Sequence, residues 1–128
     1  MTINVLGLDH VVIRVSDVER ALDFYCGMLG LLEERRVESI GLIQLRAGRS
    51  MIDLIPSASP IPSPGNVDHV CLRIESFEPE TLADHLRAHG VEPGAVERRY
   101  GAEGQGPSMY VLDPDGNTIE LKGPPDGG

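Results

Sequence analysis

Tryptophan is absent from the sequence, and three tyrosines and two phenylalanines are its other large aromatics. A chain this poor in aromatics offers no stacking platform for single-stranded nucleic acid. Basic residues are also scarce, 11 against 20 acidic ones, for a formal charge of −9. That balance repels phosphate backbones and anionic membrane surfaces, so neither nucleic acid nor membrane is expected as a partner. No apolar run approaches the roughly 18 residues of a membrane-crossing helix. The opening Met1-Thr2-Ile3-Asn4 has no basic segment leading into a long apolar one, so no secretory leader is expected. Cysteine is limited to Cys26 and Cys71, which are far apart and form no CxxC pair. They are expected as two small buried hydrophobes in a reducing compartment, which points to a cytoplasmic protein.

What the sequence does hold is a phrase written twice. Leu8-Asp9-His10-Val11-Val12-Ile13-Arg14-Val15 returns as Val67-Asp68-His69-Val70-Cys71-Leu72-Arg73-Ile74, 59 residues later. Asp, His, Val and Arg recur in place, and the remaining positions stay mostly apolar. Alternation puts each His and each Arg on the same face of its strand. With 128 residues and 41% hydrophobic content, the chain is long and apolar enough to bury a core as one domain.

The pattern predicts a strand over 7–15. Ser16 or Asp17 reads as a helix N-cap, with Glu19 placed for a capping box with Ser16. Val18, Ala21, Leu22, Tyr25 and Leu29 form one apolar helical stripe, with Phe24 and Tyr25 packing the helix, and Gly30 ends it. Strands are expected over 31–38, 40–46 and 50–56, completing a βαβββ module over about 7–56. Residues 57–66 contain three prolines and read as a stiff connector. The second module, about 67–122, repeats the order: a strand over 67–75, a helix from Pro79 to Gly90, and strands near 94–99, 107–112 and 118–122. Asp113-Pro114-Asp115-Gly116-Asn117 is a hairpin turn by composition. The glycine-rich stretch 100–107 is expected as an added loop able to close over a site, and the tail 123–128 is expected to fray.

A second correspondence lies late in each half. Ile52-Asp53-Leu54 is matched by Ile119-Glu120-Leu121, a carboxylate between aliphatics in the last strand of each module. A pseudo-two-fold arrangement of the halves would gather His10, Asp53, His69 and Glu120 around one point. Two imidazoles and one or two carboxylates are a ligand set for a divalent transition metal such as Zn, Ni, Mn or Fe(II). Asp53 is one methylene shorter than Glu120 and is the weaker member. His85 and His89 stand at i, i+4 on the second helix without a carboxylate, and are expected as surface residues. Glu120 is the first choice for a proton-transferring base and Asp53 the second. Arg14 and Arg73 share strand faces with the histidines and are candidates to bind substrate anions. Gln44, Ser108 and Tyr110 are further substrate-binding candidates from strand phase.

The opening phrase, the segment from Ala21 to Leu31 and the segment from Asp113 to Leu121 together resemble the vicinal oxygen chelate superfamily. That group includes glyoxalase I, bleomycin-resistance proteins, fosfomycin-resistance enzymes and extradiol dioxygenases. The stretch from Arg99 to Gly116 is similar to small glyoxalase-domain proteins of virulence type. The resemblance runs from about residue 7 to 122. It implies an α+β fold in which two βαβββ modules form an open eight-stranded, barrel-like sheet around a shared site, and a homodimer. It places metal ligands at His10, Asp53, His69 and Glu120. Asp53 departs from the Glu common in glyoxalase I, which leaves room for a three-ligand site of His10, His69 and Glu120. The implied activity is a metal-dependent lyase or isomerase acting on a small molecule. An Fe(II)-dependent extradiol-type dioxygenase and a non-catalytic small-molecule binding protein are the alternatives.

Overall fold

The computed structural model describes Asn4, residues 6–57 and residues 67–127. Apart from Ser57, the proline-rich connector lies outside those residues. The chain divides into two compact units, Met1–Ile61 and Pro62–Gly128. The fold is α+β, with eight strands in two four-stranded sheets and few helices. Among the described residues the sheets are not joined into a closed barrel.

The first unit runs β1 (His10–Val15), α1 (Val18–Leu22), β2 (Leu32–Val37), β3 (Leu42–Ala47) and β4 (Ser50–Pro56). Its sheet order is β1-β4-β3-β2, with β1 parallel to β4 and the other pairs antiparallel. A parallel neighbour needs a crossover, and α1 supplies it. Asp17 is the N-cap, its side chain accepting from the Arg20 amide at 3.1 Å. The predicted capping box with Ser16 and Glu19 is therefore replaced by an Asp17 cap. Past Leu22 the helix widens to a π-helix over Asp23–Met28, which periodicity did not reveal. Gly30, at φ +78°, ends it in the left-handed region that a Cβ disfavours.

The apolar stripe of that helix is buried through Ala21, Phe24, Tyr25 and Met28. The sheet contributes Ile43 and Leu45 from β3, opposite Leu54 and Ile52 of β4. Alternation sends Gln44 and Asp53, themselves cross-strand partners, to the other face. A short 3-10 turn over Glu38–Ile40 was not anticipated.

The second unit repeats this plan with β5 (Val70–Arg73), α2 (Pro79–Ala88), β6 (Glu97–Gly101), β7 (Gly104–Leu112) and β8 (Thr118–Lys122). The sheet order is β5-β8-β7-β6, the same topology with each strand replaced by its counterpart. Met109 and Val111 face Leu121 and Ile119 in a buried layer, and α2 buries Leu86. Ser108 and Tyr110 face Lys122 and Glu120 on the opposite side. His85 and His89 are exposed, as expected, with ring centroids 4.8 Å apart.

The stretch 100–107 is not a loop. It is a hairpin in which Gly101 pairs with Gly104, and Arg99 with Gly106. Glycine clusters ordinarily signal turns, but here Gly101 and Gly106 clear space for another side chain. The cysteines also depart from expectation: Cys26 is half-buried and Cys71 is exposed on β5.

The turn before β8 is organised by Asp113, which is 5% exposed. Its carboxylate accepts from the Asp115 and Asn117 amides and the Asn117 side chain at 2.8–2.9 Å. Asp113→Ala should leave these donors to water and cost about 1–2 kcal/mol. Urea unfolding monitored by circular dichroism checks this, and Asp113→Asn should lose less.

Candidate functional site

Each unit carries a histidine at the start of, or just before, its first strand and a carboxylate on the adjacent parallel strand, at the same register. In the first, Val12 lies opposite Asp53, and His10 is two residues before Val12. In the second, Cys71 lies opposite Glu120, and His69 is two residues before Cys71. Gln44 and Tyr110 are also equivalent, being the antiparallel partners of Asp53 and Glu120. The sequence repeat is thus a repeat of position in the sheet.

In the second unit the pair is closed. His69 Nε2 lies 3.2 Å from Glu120 Oε1, and Glu120 is 5% exposed. The His69 ring meets the Tyr110 ring edge-on, centroids 5.4 Å apart. Arg99 stacks on Tyr110, its guanidinium carbon 4.2 Å from the ring centre, and donates to Ser108 Oγ at 2.5 Å. Ser108 is fully buried. Arg73 reaches Glu103 at 3.0 Å instead of His69.

In the first unit Asp53 is 3% exposed. Its Oδ2 accepts from Gln44 Nε2 at 3.1 Å, and Gln44 in turn accepts from Arg35 at 3.0 Å. Asp53 Oδ1 is buried with no hydrogen-bond partner among the described residues. An orphan carboxylate oxygen away from water is costly unless a cation or donor meets it. His10 is exposed at the start of β1, and Arg14 is exposed further along it.

The aspartate of the repeated phrase has a role that sequence reasoning did not assign. Asp9 Oδ2 lies 2.7 Å from His10 Nδ1, and Asp68 Oδ2 lies 2.7 Å from His69 Nδ1. A carboxylate on Nδ1 favours the tautomer whose Nε2 lone pair is free to ligate a metal. The hydrogen bond to Asp9 raises the His10 pKa; desolvation opposes the rise and the Asp53 charge adds to it. The recurrence of Asp before each His was the available signal. Arg99 and Lys122 were also missed, because neither recurs in the first half.

Cys71 is held as a thiol. Partial burial of the sulfur, then the charge of Glu120 and a hydrogen bond to it, push its pKa up to about 11. From an ordinary value of 9.0 this leaves roughly a hundredfold less thiolate. Metal-free protein at pH 8 should therefore alkylate at Cys71 far more slowly than a free thiol. Iodoacetamide labelling followed by mass spectrometry checks this, and Glu120→Gln should accelerate it.

Among the described residues, no three His, Cys, Asp or Glu side chains of either unit are grouped as a ready metal site. No helix is long and apolar enough to cross a membrane.

Two βαβββ units of the same strand order, each with a histidine and a carboxylate in equal register, define a duplicated-module class of small α+β proteins. Residues 7–121 match the family model of the Glyoxalase/Bleomycin resistance protein/Dioxygenase superfamily, and the chain belongs to that superfamily. It is 32% identical over 120 residues to Virulence protein STM3117 of Salmonella typhimurium strain LT2, covering 89% of this chain and 81% of that one. It is 34% identical over 129 residues to Glyoxalase domain-containing protein RDO1 of Mycosarcoma maydis, covering 93% and 69%. A protein from the mobile metagenome of V. Pseudocholerae superimposes with a TM-score of 0.76 at 26% identity, covering 96% of this chain and 98% of that one.

Proposed function

We propose that the chain is a metal-dependent enzyme of glyoxalase type, a lyase or isomerase acting on a small molecule. Its two His–carboxylate pairs, His10 with Asp53 and His69 with Glu120, are the metal ligands, and Glu120 is the base. The observation that carries this reading is the duplicated orientation of the imidazoles by Asp9 and Asp68, 2.7 Å from Nδ1 in both cases. Surface histidines have no need of that arrangement twice over. The unpartnered Asp53 Oδ1 fits a divalent cation as its missing partner.

When bound, Zn, Ni, Mn or Fe(II) supplies Lewis-acid stabilisation of negative charge on a substrate oxygen. The protein's own groups do the rest. Burial of the Glu120 carboxylate limits its hydration and suits it to take up and return a proton. Tyr110, opposite Glu120 and stacked by Arg99, presents a phenol beside that proton path. Gln44 fixes one oxygen of Asp53 and leaves the other available. Arg14, Arg73 and Ser108 remain proposed substrate contacts, and the working form is proposed to be a cytoplasmic homodimer.

The test begins with elemental analysis of the purified full chain. Turnover of a hemithioacetal with Ni or Zn supports the lyase reading. Oxygen uptake with a catechol after anaerobic Fe(II) loading would replace it with the oxygenase. Failure to bind any divalent metal would overturn both.

A further inference from the structure

Lys122 is the only lysine among the 128 residues, and it is buried at 5% exposure. Lysine is almost never fully buried without a charged partner. Yet Lys122 Nζ has one hydrogen bond, to the neutral carbonyl of Gly104 at 3.0 Å. Among the described residues no carboxylate lies within ion-pairing distance of it. Two of its three donor directions are therefore uncommitted to acceptors among the described residues.

The surrounding backbone is shaped to admit this side chain. A Cβ at Gly101 would sit 3.1 Å from Lys122 Cε, and one at Gly106 would sit 2.8 Å from the Pro124 carbonyl oxygen and 3.2 Å from Lys122 Nζ. The glycines of the β6–β7 hairpin thus form a floor along which the lysine lies. Arg99 is the cross-strand partner of Gly106, and Arg73 is the parallel partner of Lys122. Directly paired residues project to the same side of a sheet, so Arg73, Arg99 and Lys122 share one face. Glu120, two residues before Lys122, projects to that face as well, next to His69. In a chain with a net charge of −9, three of 11 basic residues gather beside the proposed base. Arg73 pairs with Glu103 and also donates to the Ile74 carbonyl at 2.5 Å, and Arg99 pairs with Glu97; both carboxylates are more than half exposed, and ion pairs to such carboxylates are weak and exchangeable.

We propose that Lys122, with Arg99 and Arg73, forms an oxyanion-binding subsite on the second sheet, and that the substrate carries a carboxylate, phosphate or phosphonate group. This rests on the proposed enzymatic reading for its biological use, but the subsite itself needs no metal. Lys122 is the anchor, Arg99 supplies a planar donor fork held by Ser108 and Tyr110, and Arg73 exchanges Glu103 for the ligand.

A lone lysine gives a selective experiment. Full-length, metal-free protein labelled with carbon-13 lysine has a single Cε resonance. It is titrated separately with inorganic phosphate, methylphosphonate and acetate, against chloride at matched ionic strength. A saturable shift with any of the three supports the subsite, and which ones act separates phosphorus oxyanions from carboxylates. Arg99→Gln should weaken that binding about tenfold. In parallel, the anion-dependent rise in Tm should vanish in Lys122→Met, which keeps the side-chain volume. A resonance that responds no more to the three anions than to chloride overturns the proposal. So does a Tm rise in Lys122→Met equal to that of the parent. Failure of the parent chain to bind any divalent metal would sink the enzymatic reading and leave this titration unchanged.

Discussion

Glu120→Gln should reduce affinity for Zn, Ni or Mn by more than about a hundredfold, since even outer-shell substitutions at metal sites cost 10–100-fold. The substitution keeps the shape and removes the charge. A neutral amide is a poor ligand for a divalent ion, and it cannot take a proton from carbon. Any turnover shown by the parent should therefore fall by a further factor of about 10² to 10⁴ even at saturating metal. Isothermal titration with each metal, together with kcat at saturating metal, reads the two effects separately. The metal-free Tm is the control. Glu120 is buried, and its neighbour His69 is only partly so. Removing a buried charge that is incompletely paired costs little and can stabilise. A variant that keeps its Tm and loses the metal places the carboxylate in the ligand set. One that binds metal as well as the parent removes it.

Asp53→Asn should behave differently. Asp53 already gives one oxygen to Gln44 and leaves the other without a partner among the described residues. An amide nitrogen at that position has no acceptor, so metal affinity and metal-free stability should fall together. The two carboxylates occupy equal register in their sheets, but only Glu120 touches its histidine. That asymmetry is what the one-methylene difference between Asp and Glu predicts.

The order of strands and helices was legible because the repeated phrase and the Ile-acid-Leu pair mark the first and last strand of each module. Helix ends at Gly30 and Gly90 were legible because both need the left-handed region. The placement of the candidate site residues was legible to the level of strand, since His10, Asp53 and Glu120 fall on β1, β4 and β8. The orientation of the histidines by Asp9 and Asp68 was not, because hydrogen bonds between adjacent residues leave no periodic trace. The 100–107 segment was misread for a physical reason. Glycine signals flexibility when its neighbours are solvent, and close packing when another side chain lies across it; sequence alone does not say which. Lys122 decides it, and one letter in the last strand carried no hint that its side chain would run back over Gly106 and Gly101. Arg99 escaped notice because it lies on the edge strand β6, where partners across the sheet are set by register.

The largest stability effect should come from Gly94→Ala, outside any strand or helix. The segment before β6 passes so close to β7 that a Cβ at residue 94 would lie 2.3 Å from the Tyr110 carbonyl oxygen and 3.4 Å from its amide nitrogen. The obstacle is backbone of β7, which is paired to β8 at that residue, and it cannot rotate away as a side chain does. Overpacking of this kind costs up to about 3 kcal/mol, which for a domain of this size lowers Tm by roughly 10 °C. Residue 94 does not adopt the left-handed backbone, so the penalty is steric. At an uncrowded site the same change would stabilise by about 0.4–1 kcal/mol through the unfolded chain. Gly101→Ala supplies the comparison. Its Cβ meets the end of the Lys122 side chain at 3.1 Å, which can shift, so its Tm should fall far less. Differential scanning calorimetry of both variants distinguishes the two kinds of contact. If Gly94→Ala melts at or above the parent, the segment does not lie against Tyr110. If it melts well below while Gly101→Ala does not, the phenol beside Glu120 is held from behind by bare backbone, and no residue larger than glycine can stand at that position.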